Sequence, residues 1–281
     1  MDCRHFVLIF VLGLFSFEIA HAQDPIIRFI ENKNQWPDEV DFGAKVAGGT
    51  MLLQPEGFRY YFLDQQKLKQ LHEQGHAGLL SGASEHSSEL IDGTAIQVKF
   101  KGANPQAQAI PSQKLKTYYN YFIGNDQESW ASSAAAYENI RYQNLYEGID
   151  LAVYSAGSNL KYDFIVAPCA DPSVINMQYE GTDDVSIENG DVAVHSKHVS
   201  MLEKKPVAYQ IVDGEKVWVP CEYALASNQL TFCFPSGYDP DQELVIDPLL
   251  IFSTYSGSTA DNWGSTATPG EHGTLYSSGV T

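Results

Sequence analysis

Long apolar runs are missing from this 281-residue chain except at its N-terminus, and basic residues are few, 17 Lys and Arg against 35 Asp and Glu. The first lack excludes a membrane-spanning helix beyond the leader, because a span needs about 20 consecutive apolar residues. The second, a formal charge of −18, excludes the basic stripe with which proteins hold nucleic acid or anionic membrane surfaces. Cysteine is scarce as well. Cys3 lies in the leader, which leaves Cys169, Cys221 and Cys233, an odd number that cannot all pair within a monomer. Matching the apolar faces around Cys221 and Cys233 turns the two thiols away from each other, so a bridge would need a bulge. Buried free thiols are expected. Also absent are a P-loop, a dinucleotide fingerprint, a nucleophile elbow and any long helical period.

What is present begins with a leader. Arg4 and His5 precede the apolar run Phe6 to Phe17, and Ala20-His21-Ala22 offers a small-x-small cleavage site, the layout of a secretory signal peptide over residues 1–22. Glu18 breaks the run before it could span a bilayer. The mature chain then starts near Gln23 with 33 acidic and 16 basic residues, a balance suited to solubility outside the cell.

From Ile26 to Leu63, short segments of β-branched and aromatic residues alternate with Asn, Pro and Gly turns, a β-meander in outline. Residues 64–93 change to a polar composition, read as a short helix near Asp64 to Gln74 followed by a flexible insertion. Strands resume at Thr94, and YYNYFIG (Tyr118 to Gly124) reads as an aromatic strand. Asn125 to Ala136 reads as a turn with one helical turn around Ser132 to Ala136. Asn189-Gly190 and Asp213-Gly214 sit between alternating runs, the strongest short signal for hairpins. Such spacing predicts an all-β, antiparallel, sandwich-like domain built from hairpins and meanders.

The densest pattern runs from Tyr146 to Pro172. Ile149, Leu151 and Val153 alternate with polar neighbours, as do Leu160, Tyr162, Phe164 and Val166, the period of two half-buried strands. Ser155 to Asn159 supply the turn. Apolar matching leaves two registers open: Asp150 opposite Asp163, a carboxylate pair, or Asp150 opposite Lys161, an ion pair. Like charges directly opposite destabilise a ladder, which favours the Asp-Lys register.

One further motif bears on chemistry. His72-Glu73-Gln74-Gly75-His76 satisfies H-E-x-x-H, which on a helix would set two imidazoles on one face for zinc and a glutamate to polarise water. Gly75 inside the would-be helix, the lack of an apolar face, and Gly82 where a third histidine would stand all argue against a metalloprotease. His72, His76 and His86 remain candidates for adventitious metal binding in a solvated loop, and no cofactor is expected. The acidic turns at Thr182-Asp183-Asp184 and Tyr238 to Asp241 do not fit EF-hand spacing. His195 and His198 are expected to be surface histidines. Trp130, Trp218 and Trp263 are candidate binding aromatics, with burial in the core the expected role for each.

The segments FIENKNQWP (Phe29 to Pro37), YYNYFIGND, NLYEGIDLAVY, LKYDFIVAPCADPSVI, AYQIVDG and YDPDQELVIDPLLIFSTYSGSTADNWG, with a closing GTLYSSGVT, occur here in an order that resembles a known family. It is the domain of unknown function near the N-terminus of large exported bacterial proteins, typically of Bacteroidota, that precedes SBBP-type β-propeller repeats. The resemblance covers nearly the whole mature chain. It implies a β-rich domain at residues 23–249 and a first propeller-type repeat at 250–281. In the family, PKD-like domains and a gliding-motality-associated sorting region read by the type IX secretion system often follow. A propeller needs about 4 to 8 blades to close, so one repeat implies an N-terminal portion or a truncated gene product. Asn34 and Cys169 stand where the family usually has glycine, which suggests a different backbone at those turns. The resemblance supplies no catalytic residues. Together these readings lead to a non-enzymatic, secreted or cell-surface module of an adhesin-like or scaffold protein. Its expected partners are a surface glycan or protein and the downstream repeats, with no nucleic acid and no membrane insertion. The alternatives are a zinc hydrolase using the HEQGH segment and a carbohydrate-active enzyme using the Asp150 and Asp163 pair.

Overall fold

The computed structural model describes residues 27–64, 67–70, 91–157, 159–254, 263–269 and 275–280. The first four strands, β1 (Phe29–Glu31), β2 (Phe42–Val46), β3 (Gly49–Gln54) and β4 (Gly57–Leu63), form the expected meander and continue into β5 (Gly93–Phe100). Residues 67–70 are helical. The Asp64 carboxylate accepts the Lys67 N–H at 3.0 Å, capping that turn where the composition predicted a helix to start. Two long strands follow, β6 (Gln108–Tyr121) and β7 (Ala131–Tyr146), then β8 (Ile149–Ala156) and β9 (Asn159–Val166). The second half adds β10 (Met177–Glu180), β11 (Asp184–Glu188), β12 (Asp191–Ser196), β13 (Val199–Glu203), β14 (Val207–Val212), β15 (Glu215–Val219), β16 (Glu222–Ala226), β17 (Gln229–Cys233), β18 (Leu244–Asp247) and β19 (Leu249–Thr254). β20 (Trp263–Pro269) and β21 (Leu275–Val280) pair in a separate two-stranded sheet.

β1 to β19 make one antiparallel sheet, which agrees with the all-β expectation. From β16 the order runs through β17, β10, β5, β4, β3, β2, β1, β7 and β8 to β9. Beyond β9, β18 and β19 run end to end around Pro248. β18 carries β14 and β15 on its far side, while β19 carries β13, β12 and β11. β11 comes back against β16, so the sheet is nearly closed. The two layers expected of a sandwich are thus opposite walls of one curled sheet.

Period-two alternation fills the interior. β9 reads intermediate and buried in strict alternation, with Leu160, Tyr162, Phe164 and Val166 inward. Aromatic rings meet across the core, Phe58 of β4 on Tyr162 at 5.8 Å and Phe100 of β5 on Phe164 at 6.0 Å, with Phe232 of β17 on the other side of Phe164 at 5.8 Å. These edge-to-face contacts join strands far apart in the sheet and hold its walls together.

The turns follow their residues in most places. Asn189-Gly190 and Asp213-Gly214 have positive φ at both central positions and join two-residue hairpins. The expected helical turn at Ser132 to Ala136 is instead the start of β7. Ala134 and Ala136 bury there against Ile30, and Glu31 accepts the Ala135 N–H at 2.9 Å, which fixes extended backbone. A single 3-10 turn forms earlier, at Gln127–Ser129, capped by Asp126. Asn34 (φ 76°) and Cys169 (φ 64°) keep the left-handed backbone that glycine would adopt, so the turns do not change where the side chains do.

Candidate functional site

Adjacent residues of β9 point to opposite faces and end in two different carboxyl clusters. Tyr162 points inward. Its hydroxyl donates to Glu203 Oε1, as does that of Tyr223 at 2.9 Å, while Tyr179 donates to Oε2 at 2.8 Å. Glu203 is 2% exposed. Burial holds its carboxyl above the usual range, against the three hydroxyl donors that favour the anion. No ion pair to Glu203 occurs among the described residues.

Asp163 points outward. Continuing the β9–β18 register from Phe164 opposite Ile246 sets Asp163 opposite Asp247, close enough for the Asp247 charge to act on Asp163. Tyr154 of β8 donates its hydroxyl to both Asp163 oxygens at 3.1 and 3.0 Å. Lys161 meets the Asp247 oxygens at 2.6 and 2.8 Å. Burial, and then the Asp247 charge, push Asp163 up to about 6.

An aromatic ledge borders this pair. Tyr209 of β14 lies opposite Val245 on one side and Trp218 of β15 on the other. The Tyr209 and Trp218 rings meet edge to face at 5.9 Å, and the Lys216 ammonium sits 3.6 Å from the Tyr209 centroid. Trp218 is 62% exposed, with Val207 and Ile211 also exposed on the same face. Trp218 lies two strands from Asp247 and three from Asp163, each also two residues along the strand, which at strand spacings of ~4.8 Å sets it about 12 Å from Asp247 and about 16 Å from Asp163.

Residues 29–249 match a family described as a domain of unknown function, DUF7948. The chain belongs to that family. No curated protein and no solved structure matches it, and no catalytic family is identified. Within the DUF7948 domain, the segments AVY, KYD, AYQ and IDP, which sequence analysis singled out, bring Tyr154, Lys161, Asp163, Tyr209 and Asp247 to one face.

The structure corrects both registers proposed for the hairpin. Asp150 lies opposite Ile165, and Asp163 opposite Ala152. The turn is tighter than the five residues assigned to it, since Ala156 already pairs with Asn159. Asp150 instead accepts from Arg141 Nε and the Asn144 N–H, both at 2.8 Å. It pairs with neither Asp163 nor Lys161. The carboxylate partner of Asp163 comes from β18, some eighty residues on.

The other predicted residues divide. His72, His76, His86 and Trp263 have no described side chains. The three cysteines are free, as expected, but only Cys221 is buried. Burial raises its thiol to about 12. Cys169 and Cys233 are exposed because each occupies a turn or an outward strand position. Trp218 and Trp130 are exposed instead of buried: Trp218 lies on the outer face, and Trp130 lies at the β6–β7 tip against Phe122 at 5.7 Å. His195 is exposed and bonded to Ser200 Oγ at 3.1 Å, whereas His198 is largely covered, 3.9 Å from Asp64. Asp239 in one acidic turn accepts the Asp241 N–H, a backbone role. No group of three or more metal-ligating side chains occurs among the described residues.

Sequence reasoning missed Glu203, Asp247 and Tyr209. For Glu203 a signal existed: Val199, Met201 and Glu203 alternate on the inward face, so a carboxyl was bound for the core. Asp247 had none, because its partner strand is remote in sequence.

Proposed function

We propose that this DUF7948 chain is a non-enzymatic, exported module that binds a glycan or protein at the cell surface as part of a larger adhesin-like or scaffold protein. The observation that carries the reading is the outward ledge of Trp218 and Tyr209 beside Asp163 and Asp247, an aromatic and polar surface on a rigid sheet. Exposed aromatics held by their neighbours lose little freedom on binding, which favours recognition. The leader pattern at residues 1–22 and the resemblance to N-terminal domains of exported proteins support the location.

The carboxylates speak against hydrolysis. Glycosidases hold their two carboxyls roughly 5 to 9.5 Å apart, to leave room for the sugar or a water. Asp163 and Asp247 sit side by side on paired strands, bound by Tyr154 and Lys161, and Asp150 is committed to Arg141.

The test is retention of the fluorescently labelled mature chain on bacterial cells, before and after protease or periodate treatment. Retention above that of an unrelated β-protein of similar charge, lost on either treatment, is expected. Equal retention of the two proteins would remove the reading.

A further inference from the structure

The outer face of β8, β9, β18, β14 and β15 combines three features that together select a ligand class. The first is an exposed flat ring. Trp218 stands open, meeting Tyr209 in a T-shaped contact at 5.9 Å, while the Lys216 ammonium lies over the indole, 5.1 Å from its centroid. A ring fixed in this way presents one face to solvent without paying much rotamer entropy when a ligand stacks on it.

The second is a dense set of hydrogen-bonding groups next to that ring. Asp163 and Tyr154 are hydrogen-bonded and Lys161 is paired with Asp247; Asp247 Oδ1 is buried, so the lone pairs left for a ligand are those of Asp163 and of Asp247 Oδ2. Carboxylates accept from hydroxyl groups with short, strong bonds. The group is only partly covered: Lys161 and Asp247 side chains are each 21% exposed.

The third is local charge. The chain as a whole carries −18, but here the ammonium groups of Lys161 and Lys216 stand against Asp163 and Asp247, with Glu243 at the margin, close enough to act on Tyr209. The face is close to balanced. It offers no strong pull on a polycation, and its carboxylates repel a polyanion. An apolar protein surface would bury the acidic pair away from water and leave its charges unsolvated. A neutral chain rich in hydroxyls, with apolar C–H faces, meets all three features.

We infer that this face is a carbohydrate-binding site for a neutral polysaccharide, with one sugar ring stacked on Trp218 and hydroxyl groups of the chain donating to Asp163 and Asp247. The inference rests on the surface-binding reading and names its ligand class. Tyr154 and Lys161 act as positioning residues that orient the two carboxylates.

The experiment is affinity electrophoresis of the mature chain in gels containing barley β-glucan, xylan, galactomannan or amylopectin, with alginate and poly-lysine as charged controls. Retardation by at least one neutral polysaccharide is expected. Trp218→Ala and Asp247→Asn should each weaken it tenfold or more, and Trp218→Phe should restore part of it. Tyr118→Ala should leave it unchanged, since Tyr118 is as exposed as Trp218, 62%, but lies on β6. Thermal melting of every variant separates lost binding from lost folding.

Retardation that Trp218→Ala does not weaken would overturn the site. Preference for alginate or poly-lysine, or no retardation by any neutral polysaccharide, would overturn the ligand class. Cell retention that survives periodate but not protease would remove this inference and leave the surface-binding reading standing. Cell retention no greater than the control's would remove both.

Discussion

Tyr162 and Asp163 are neighbours in β9, and each serves a carboxyl cluster on its own side of the same sheet. Inside, Glu203 is held by three tyrosine hydroxyls, walled by aromatic rings, with no cation against it among the described residues. Outside, Asp163 and Asp247 lie opposite each other with a lysine and a tyrosine bonded to them. In both places burial raises a carboxyl, but the remedies differ. The interior uses neutral donors drawn from β9, β10 and β16, so its cluster ties opposite walls together. The exterior uses a paired cation and partial exposure to solvent, which leaves groups available to a ligand. One arrangement serves the fold, the other serves recognition.

The largest effect should follow from breaking the interior cluster. Glu203→Ala strands the Tyr179 hydroxyl in the core and leaves Tyr162 only the weak Met177 Sδ acceptor at 3.6 Å, at about 1 to 3 kcal/mol each, and leaves a cavity as well. Tyr223 suffers less because its hydroxyl also reaches the Lys204 carbonyl at 3.0 Å. A loss of about 3 to 5 kcal/mol is expected in urea unfolding, with an unchanged m-value. Glu203→Gln, which keeps an acceptor in place, should lose less than half of that. If the alanine variant unfolds at the wild-type midpoint, the cluster does not join the walls.

This contrast also explains how much could be read from the chain. The strands, the hairpin turns at Asn189-Gly190 and Asp213-Gly214, and the inward sets such as Leu160, Tyr162 and Phe164 follow from local rules of period and turn chemistry. Glu203 was legible in principle from the same alternation. The outer cluster was not. The hairpin pattern offers Asp163 as half of a carboxylate pair only in the disfavoured register and with Asp150 as partner, because the true partner depends on which strand lies beside β9. That choice is made by the closing of the whole sheet and not by the hairpin. The rule that like charges avoid facing each other held within the hairpin and gave way across β9 and β18, where Lys161 and Tyr154 offset the repulsion. Trp218 was read as core because its type is usually buried; β15 lies at a sheet edge, where one face has no covering layer.

A second, smaller effect separates the clusters by pH. Asp163 binds its proton more tightly in the folded chain, with its carboxyl near 6, than in the unfolded chain, near 3.9. Between those values the native state holds more protons, so the Asp163 contribution to stability is greatest at low pH and falls as pH rises through about 4 to 6. Asp163→Asn should abolish that fall, a difference on the order of 1 kcal/mol after solvent screening. Melting temperatures of both proteins at pH 4 and pH 7 measure it. Depressed carboxyls such as Asp191 slope the other way in both proteins and cancel in the difference. A variant that keeps the wild-type slope would show that the outer pair does not share its proton in this way.

The smallest expected effect on stability is the most telling about function. Trp218 meets Tyr209 in a T-shaped contact and Lys216 at 5.1 Å, and the greater part of its surface lies in water. Replacing it with alanine removes little buried apolar area and leaves no polar group stranded. The unfolding free energy should therefore shift by no more than about 0.5 kcal/mol. An indole so exposed, braced on a sheet edge, adds almost nothing to folding while it adds apolar surface that solvent must wet. If Trp218→Ala instead lowers stability by 2 kcal/mol or more, the ledge belongs to the fold as Glu203 does, and the distinction between the two faces of β9 disappears.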